Sequence, residues 1–293
     1  MKSHIPFLIG IAAFLVMILI AGVAEAAPEA GIGPSFKGPI GLQLYSLRAQ
    51  FGKGLPATLD EVQSWGIKYA ELAGTYKIPP ADFKAQLLAH GIQPISGHFD
   101  YGLLRDHLDD VVRDAEAMGL QYAGCAWIPH NGPFDEKTCR ETIAVFNHAG
   151  EVLAQHHIRF FYHTHGYEFQ PYKDGTLFDL LMSETNPENV HYEMDIFWIV
   201  FPGQDPVKLL KKFPNRFELM HLKDMKKGLA TGSLSGGTDV KNDVALGAGQ
   251  IDMPAVLKAA QEIGVRWYFI EDESPISEEQ IPQSLKYLAQ VKF

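Results

Sequence analysis

The chain has 293 residues, 46% of them apolar and 20% charged, and a formal net charge of −10. That is ordinary globular composition, of a length that one large α/β barrel domain or two small domains can fill. The acidic balance repels phosphate backbones, and the densest basic clusters, Lys211-Lys212 and Lys223 with Lys226-Lys227, are short. Nucleic acid is therefore excluded as an expected partner.

The first element in chain order is a targeting segment. Lys2 precedes the apolar run IPFLIGIAAFLVMILIAGV, and Ala24-Glu25-Ala26 comes after it. A positive end, an apolar core and a small-x-small site read as a signal peptide over residues 1–26, cleaved after Ala26. The run also approaches the roughly 18 residues that a membrane span needs, so an uncleaved anchor is the alternative. Either way the expectation is an exported protein, periplasmic or extracellular, that meets a membrane only if the segment stays attached. Residues 27–38 read as a linker and 39–293 as the folded domain.

From residue 40 onward, short apolar runs alternate with amphipathic stretches. IGLQLYSL (40–47) is followed by TLDEVQSWG, YAELAG (69–74) by PADFKAQLLAHG, and QPISGHF (93–99) by DHLDDVVRDAEAMG. QYAGCAWI (121–128), RFFYHTH (159–165), NVHYEMDIFW (189–198), RFELMHLKD (216–224) and RWYFIED (266–272) continue the series, each with its own helix-like partner. Runs of this kind suit parallel strands covered on both faces. Glycines at Gly66, Gly91 and Gly119 mark short helix-to-strand returns. Eight strands and eight helices in about 250 residues predict an α/β fold, a single (β/α)8 TIM barrel. The long connection 225–250 reads as a functional or mobile loop. Cys125, in a strand-like run, and Cys139, in a helix-like one, read as buried free thiols.

In such barrels the active site lies at the C-terminal ends of the strands. Those ends carry Tyr45, Glu71, His98, then His163, His165 and Glu168, then Glu193 and Asp195, then His221 and Lys223, and finally Glu271 and Glu273. Burying several carboxylates together requires a cation. Oxygen ligands with an imidazole suit one divalent ion, Mn2+, Mg2+, Co2+ or Zn2+. Asp195, His221 and Glu271 are the main ligand candidates, because they arrive together at corresponding strand ends. Glu71 reads equally as a site residue or a helix-cap partner, and Glu168 as a site residue or a loop carboxylate. Tyr45, Phe197 and Trp198 read as sugar-facing walls or as core. His191 and the pair His156-His157 read as structural.

The stretches GLQLYSLR, YHTHGYEF, YEMDIFW, HLKDM and GAGQIDMPAVLKAAQEIGVRWYFIEDE resemble the sugar phosphate isomerase/epimerase group of the xylose-isomerase-like TIM barrels, over roughly residues 40–290. The resemblance implies one divalent metal held by Asp195, His221 and Glu271, with Glu168 as the fourth ligand. Where better-characterised epimerases carry a glutamate inside strand 5, this chain carries His163, which departs from a two-glutamate mechanism. The implied chemistry is proton abstraction next to a substrate carbonyl through an enediolate. Glu271 is one candidate base and His163 or His165 the other, while Lys223, His98, Glu71, Trp198 and Tyr45 contact a small carbohydrate. A sugar isomerase or epimerase is the first expectation. A lyase or hydrolase of 3-keto-glycosides, sharing the first step, is the second, ahead of a non-enzymatic sugar-binding barrel. Assembly into a homo-oligomer is compatible with all of them.

Overall fold

A computed structural model describes residues 30–293. The expected signal segment or anchor, and the start of the linker, lie outside the described residues. Among the described residues no helix is long and apolar enough to cross a membrane.

Eight parallel strands close a barrel: β1 (Ile40–Gln43), β2 (Tyr69–Leu72), β3 (Gln93–His98), β4 (Tyr122–Cys125), β5 (Arg159–His163), β6 (Val190–Asp195), β7 (Phe217–Leu222) and β8 (Trp267–Ile270). Each strand pairs with its neighbours in sequence, and β8 closes on β1 through Ile40↔Tyr268 and Leu42↔Ile270. The outer layer is α1 (Leu55–Ser64), α2 (Pro80–Ala89), α3 (Leu108–Met118), α4 (Glu136–Gln155), α5 (Leu177–Glu184), α6 (Pro206–Lys212), α7 (Met253–Ile263) and α8 (Ser277–Gln290). Local chemistry sets these limits. Asp135 caps α4 through the Thr138 N–H, Thr176 and Asp179 form a capping box on α5, and Gly119 and Gly264 take the left-handed C-cap of α3 and α7. The expected (β/α)8 barrel is the observed one.

Two apolar cores result. The larger lies between strands and helices and holds both cysteines as buried free thiols. The smaller, Ile95, Tyr122, Phe161, Leu219 and Phe269, fills the barrel's interior. Gly41 and Gly124 make that filling possible: a Cβ on either would come within 2.7 Å and 2.5 Å of the Phe269 and Phe161 rings. The barrel floor thus blocks passage, and polar chemistry is confined to the C-terminal mouth.

The strands are shorter than the sequence pattern suggests. The aromatic residues after β6 predict a strand that runs to Trp198. Instead the Asp195 carboxylate accepts the Trp198 N–H at 3.0 Å and starts a short helix, Ile196–Val200. Both irregularities in barrel pairing fall just before glutamates, between Ala70 and Glu71 and between Tyr192 and Glu193. Bulges of this kind re-aim the side chains that come after them.

The opposite end of the barrel is held by one carboxylate. Glu218 accepts from the Tyr122 hydroxyl at 2.8 Å and from Arg159 at 2.5 Å, with His191 at 3.5 Å and Arg266 at 3.7 Å. Burial pushes its carboxyl up, but His191, Tyr122 and Arg159 together hold it below the ordinary value. Glu218→Ala is expected to cost about 2 kcal/mol in denaturant unfolding, because it strands a phenol and crowded cations. A carboxyl depressed in the folded state contributes its stability above its unfolded value and loses it as pH falls. The gap between wild type and variant should therefore close below roughly pH 4.3. A gap that is flat or widens in acid would contradict this assignment.

Candidate metal centre

The C-terminal ends of β5 to β8 converge on His221. Its Nδ1 lies 3.1 Å from Glu271 Oε2 and 3.7 Å from Asp195 Oδ2. Its Nε2 lies 2.6 Å from Glu71 Oε1 and 3.2 Å from Glu193 Oε2. His163 Nε2 stands 3.4 Å from Asp195 Oδ2. Strand register produces this meeting, by placing His163 beside Glu193 and Asp195 beside His221.

Two sets of ligand-type atoms each lie within 4.8 Å of one another: His163, Asp195, His221 and Glu271, and Glu71, His98, Glu193 and His221. Their hydrogen bonds distinguish them. In the inner set, Glu71 accepts from Gln43 Nε2 at 2.7 Å and from Ser96 Oγ at 2.6 Å, and His98 Nε2 lies 3.2 Å from both Glu71 and Glu193. In the outer set, His163 and Glu271 reach the cavity wall. A neutral imidazole offers one lone pair and one N–H. With an ion bound, His221 would donate Nε2–H to Glu71 and present the Nδ1 lone pair to the outer set, the usual support of a metal-bound histidine by a carboxylate.

The outer set fits a divalent ion. Separations of 3.1, 3.4 and 3.7 Å approach the edges of roughly 3 to 3.5 Å expected between neighbouring ligands about 2.1 Å from an ion. Two imidazoles with two carboxylates suit Zn2+, Co2+ or Mn2+ better than a site built of oxygen alone. Burial lowers His221, but Glu193, Glu271 and Glu71 outweigh it and hold the ring well above the ordinary imidazole value, so a bound ion would take the place of its Nδ1 proton. Despite burial, Lys223, His163 and His221 draw Asp195 down to about 2. Burial, reinforced by His221, lowers His163 to about 4, so its lone pair is free. Burial also lowers His98, but Glu71 and Glu193 outweigh it and raise that ring to about 9. Glu193, buried beside Glu71, rises to about 7.

The structure separates the expected site residues. Asp195, His221 and Glu271 meet in one cluster that could hold a metal ion, with His163 as its fourth member in the place the sequence suggested for Glu168. Glu168 is buried elsewhere. Gly166 turns the chain into the short helix Tyr167–Phe169, and the Glu168 carboxylate accepts from the Tyr162 hydroxyl and from the His165 N–H. Glu71 is likewise not on the cavity wall, because it lies fully buried beneath His221. Lys223 is also behind the wall, with its Nζ 2.6 Å from Glu273, 3.2 Å from Glu271 and 3.6 Å from Asp243. His98, His163, His165, Trp198 and Tyr45 do line the cavity, which has a volume of about 510 Å3. Phe197 is core.

Glu273, expected at the end of the last strand, lines the cavity, as do Trp127 and Asp243, to which the sequence pattern assigns no role. Trp127 lies just past the end of β4 at Cys125, and that position is the signal the sequence offers. The 225–250 connection reaches the cavity through Gly236, Gly237 and Thr238, but its base is pinned. Asp224 accepts from the N–H groups of Met225, Gly247, Gly249 and Ile251. That network accounts for the glycine turn at 247–249.

Residues 59–291 match the xylose isomerase-like TIM barrel family. A sugar phosphate isomerase/epimerase from Parabacteroides distasonis shares the fold, with a TM-score of 0.73 at 23% identity over 93% of this chain and 99% of its own. The IOLI protein, solved with a zinc atom, shares it with a TM-score of 0.65 at 15% identity over 85% of this chain and 95% of its own. The inosose dehydratase of Clostridium tetani is 28% identical over 148 residues, 48% of this chain and 49% of that protein. The chain spans about half the length of the first curated relatives it matches.

The ligand set has a direct test. By calorimetric titration, His163→Ala should weaken Zn2+ or Mn2+ binding at least about 100-fold, more than the loss of an outer-shell partner. Glu168→Gln should leave metal affinity within a few-fold. The reverse pattern would restore Glu168 as the ligand.

Proposed function

The chain belongs to the xylose isomerase-like TIM barrel family, and we propose that it is a divalent-metal enzyme that removes the proton next to a carbonyl on a carbohydrate or cyclitol and then eliminates the neighbouring oxygen substituent. The observation that carries this reading is a free imidazole beside the metal ligands. His165 lines the cavity, with its ring 4.5 Å from that of His163. Its Nδ1 is buried without a partner among the described residues, so Nε2 is the nitrogen open to the cavity. Packing holds the ring in place: Trp198 stacks at 5.7 Å and Trp127 presents an edge at 5.2 Å.

A bound divalent ion supplies Lewis acidity at the carbonyl and its neighbouring oxygen. The protein does the rest. His165 Nε2 takes the proton from the carbon beside the carbonyl. The C–H electron pair becomes a C=C bond as the C–O bond on the next carbon breaks. The departing oxygen takes a proton and leaves as water or as an alcohol. His98, which lines the cavity with its ring centre 5.4 Å from that of His163, is the imidazolium that supplies it. Lys223 touches no substrate in this arrangement. It positions Glu271 and Glu273 and balances their charge.

Isomerisation or epimerisation is the second reading. It is favoured by the same two imidazoles, because a proton taken by His165 and returned by His98 leaves the skeleton intact. The dehydratase names among the curated relatives support elimination.

Proton exchange in deuterated buffer separates the readings. Metal-loaded protein is incubated with inososes, ketoses and 3-keto-glycosides and monitored by NMR. Loss of the oxygen substituent is the expected outcome. Deuterium incorporation with the skeleton kept would replace elimination by isomerisation or epimerisation, and no exchange at all would sink both. His165→Gln should lower turnover by about 10^2- to 10^4-fold while metal affinity stays within a few-fold.

A further inference from the structure

We infer that the substrate is an uncharged glycoside whose second ring lies on Trp127, and not a sugar phosphate. This rests on the proposed function for the reacting end, but its own evidence is the outer half of the cavity.

The first observation is charge. The wall includes Asp100, Asp243, Glu271 and Glu273, and among the described residues no lysine or arginine lines it. The nearest cations are engaged, beginning with the His98 ring on the wall itself, whose Nε2 lies 3.2 Å from both Glu71 and Glu193. Lys223 is surrounded by Glu271, Glu273 and Asp243. Arg48 donates to the Glu273 carbonyl at 3.2 Å and to the Tyr45 carbonyl at 3.0 Å, and its guanidinium lies over the Tyr45 ring at 4.4 Å. In TIM barrels the loops after strands 7 and 8 are the frequent phosphate cradle. Here those loops present Asp243 after β7 and Glu273 after β8. A phosphate dianion there meets carboxylates whose positive partners are already used, and like charges set against each other reject a ligand strongly.

The second observation is shape. A cavity of about 510 Å3 lies within the range of pockets that enclose drug-sized ligands. Its aromatic residues run outward from the metal centre, from Trp198 to His165 to Trp127. Trp127 is fixed by His130, Tyr167 and His165, yet 43% of its surface is exposed, and Tyr45 at the mouth is equally open. Large aromatics held rigid and left exposed at a cavity mouth mark a binding surface.

The third observation is the loop over this shelf. Gly236 lies at φ 65°, and a Cβ there would sit 2.6 Å from Tyr167 and 3.2 Å from Trp127. The Gly237 N–H is taken by Ser235 Oγ at 3.3 Å. The glycines of SGGT therefore let the chain lie against the aromatics, which is the covering an apolar ring face needs.

The test is binding by calorimetry to metal-loaded protein, read without turnover. The ligands are 3-keto-glucose, its 6-phosphate and phenyl 3-keto-β-glucoside. The phenyl glycoside should bind at least tenfold tighter than the free sugar and the 6-phosphate at least tenfold weaker, a penalty that shrinks at high salt. Trp127→Ala should reduce the phenyl glycoside to the affinity of the free sugar, and Trp127→Phe should restore most of the difference. A 6-phosphate that binds as well as the free sugar overturns the inference. So does an aryl preference that survives Trp127→Ala, or no binding of the glycoside. Because affinity is read apart from deuterium exchange, failure of the chemistry and failure of the substrate class are distinguishable.

Discussion

The structure depends on how four buried carboxylates are held around one imidazole. Glu71, Glu193, Asp195 and Glu271 all lie within 3.7 Å of His221. Carboxylates in a site closed to water repel one another, and each isolated charge is costly to bury. His221 resolves this by dividing them. Its Nε2 side belongs to Glu71 and Glu193, which are closed off by Gln43, Ser96 and His98. Its Nδ1 side belongs to Asp195 and Glu271, of which Glu271 reaches the cavity wall together with His163. A metal ion held on that side would complement the shared proton network on the other in neutralising one cluster.

The surrounding fold serves this division. The two bulges stand before Glu71 and Glu193, the two carboxylates that must reach back beneath His221. Asp195 uses its oxygens separately, Oδ1 starting the helix Ile196–Val200 and Oδ2 facing His163 and His221. The cap therefore fixes a candidate ligand, and it also turns Trp198 toward the cavity. Lys223 extends the charge balance outward, bridging Glu271 to Glu273 and Asp243. Orientation by such supports decides how well a ligand set is preorganised.

Much of this was legible in the sequence because barrel strands are continuous apolar runs and their ends are where polar residues begin. Asp195, His221 and Glu271 stood out on that basis. Glu168 misled because spacing does not reveal that Gly166 reverses the chain and delivers the carboxylate to Tyr162. Glu71 misled differently: its strand end was located correctly, but whether a side chain faces the cavity or the layer below depends on a bulge, which the sequence does not display. Strand limits were drawn too long wherever aromatics came next, as at Phe197 and Trp198, since helix and strand both use them. Trp127 escaped notice because an aromatic at the end of an apolar run resembles core until its exposure is known.

Metal chemistry alone does not select among elimination, isomerisation and epimerisation, since all begin with the same proton. The fate of the carbanion depends on groups that are not ligands. His165 is held by stacking with Trp198 and Tyr167 and by the edge of Trp127, so its position is set by the same aromatics that shape the outer cavity. A substrate that presses on Trp127 therefore also bears on the base. Binding energy from a remote ring can then be used at the reacting carbon, through packing and without any direct contact. On the proposed reading, the recognition surface and the proton carrier of this barrel are one aromatic cluster.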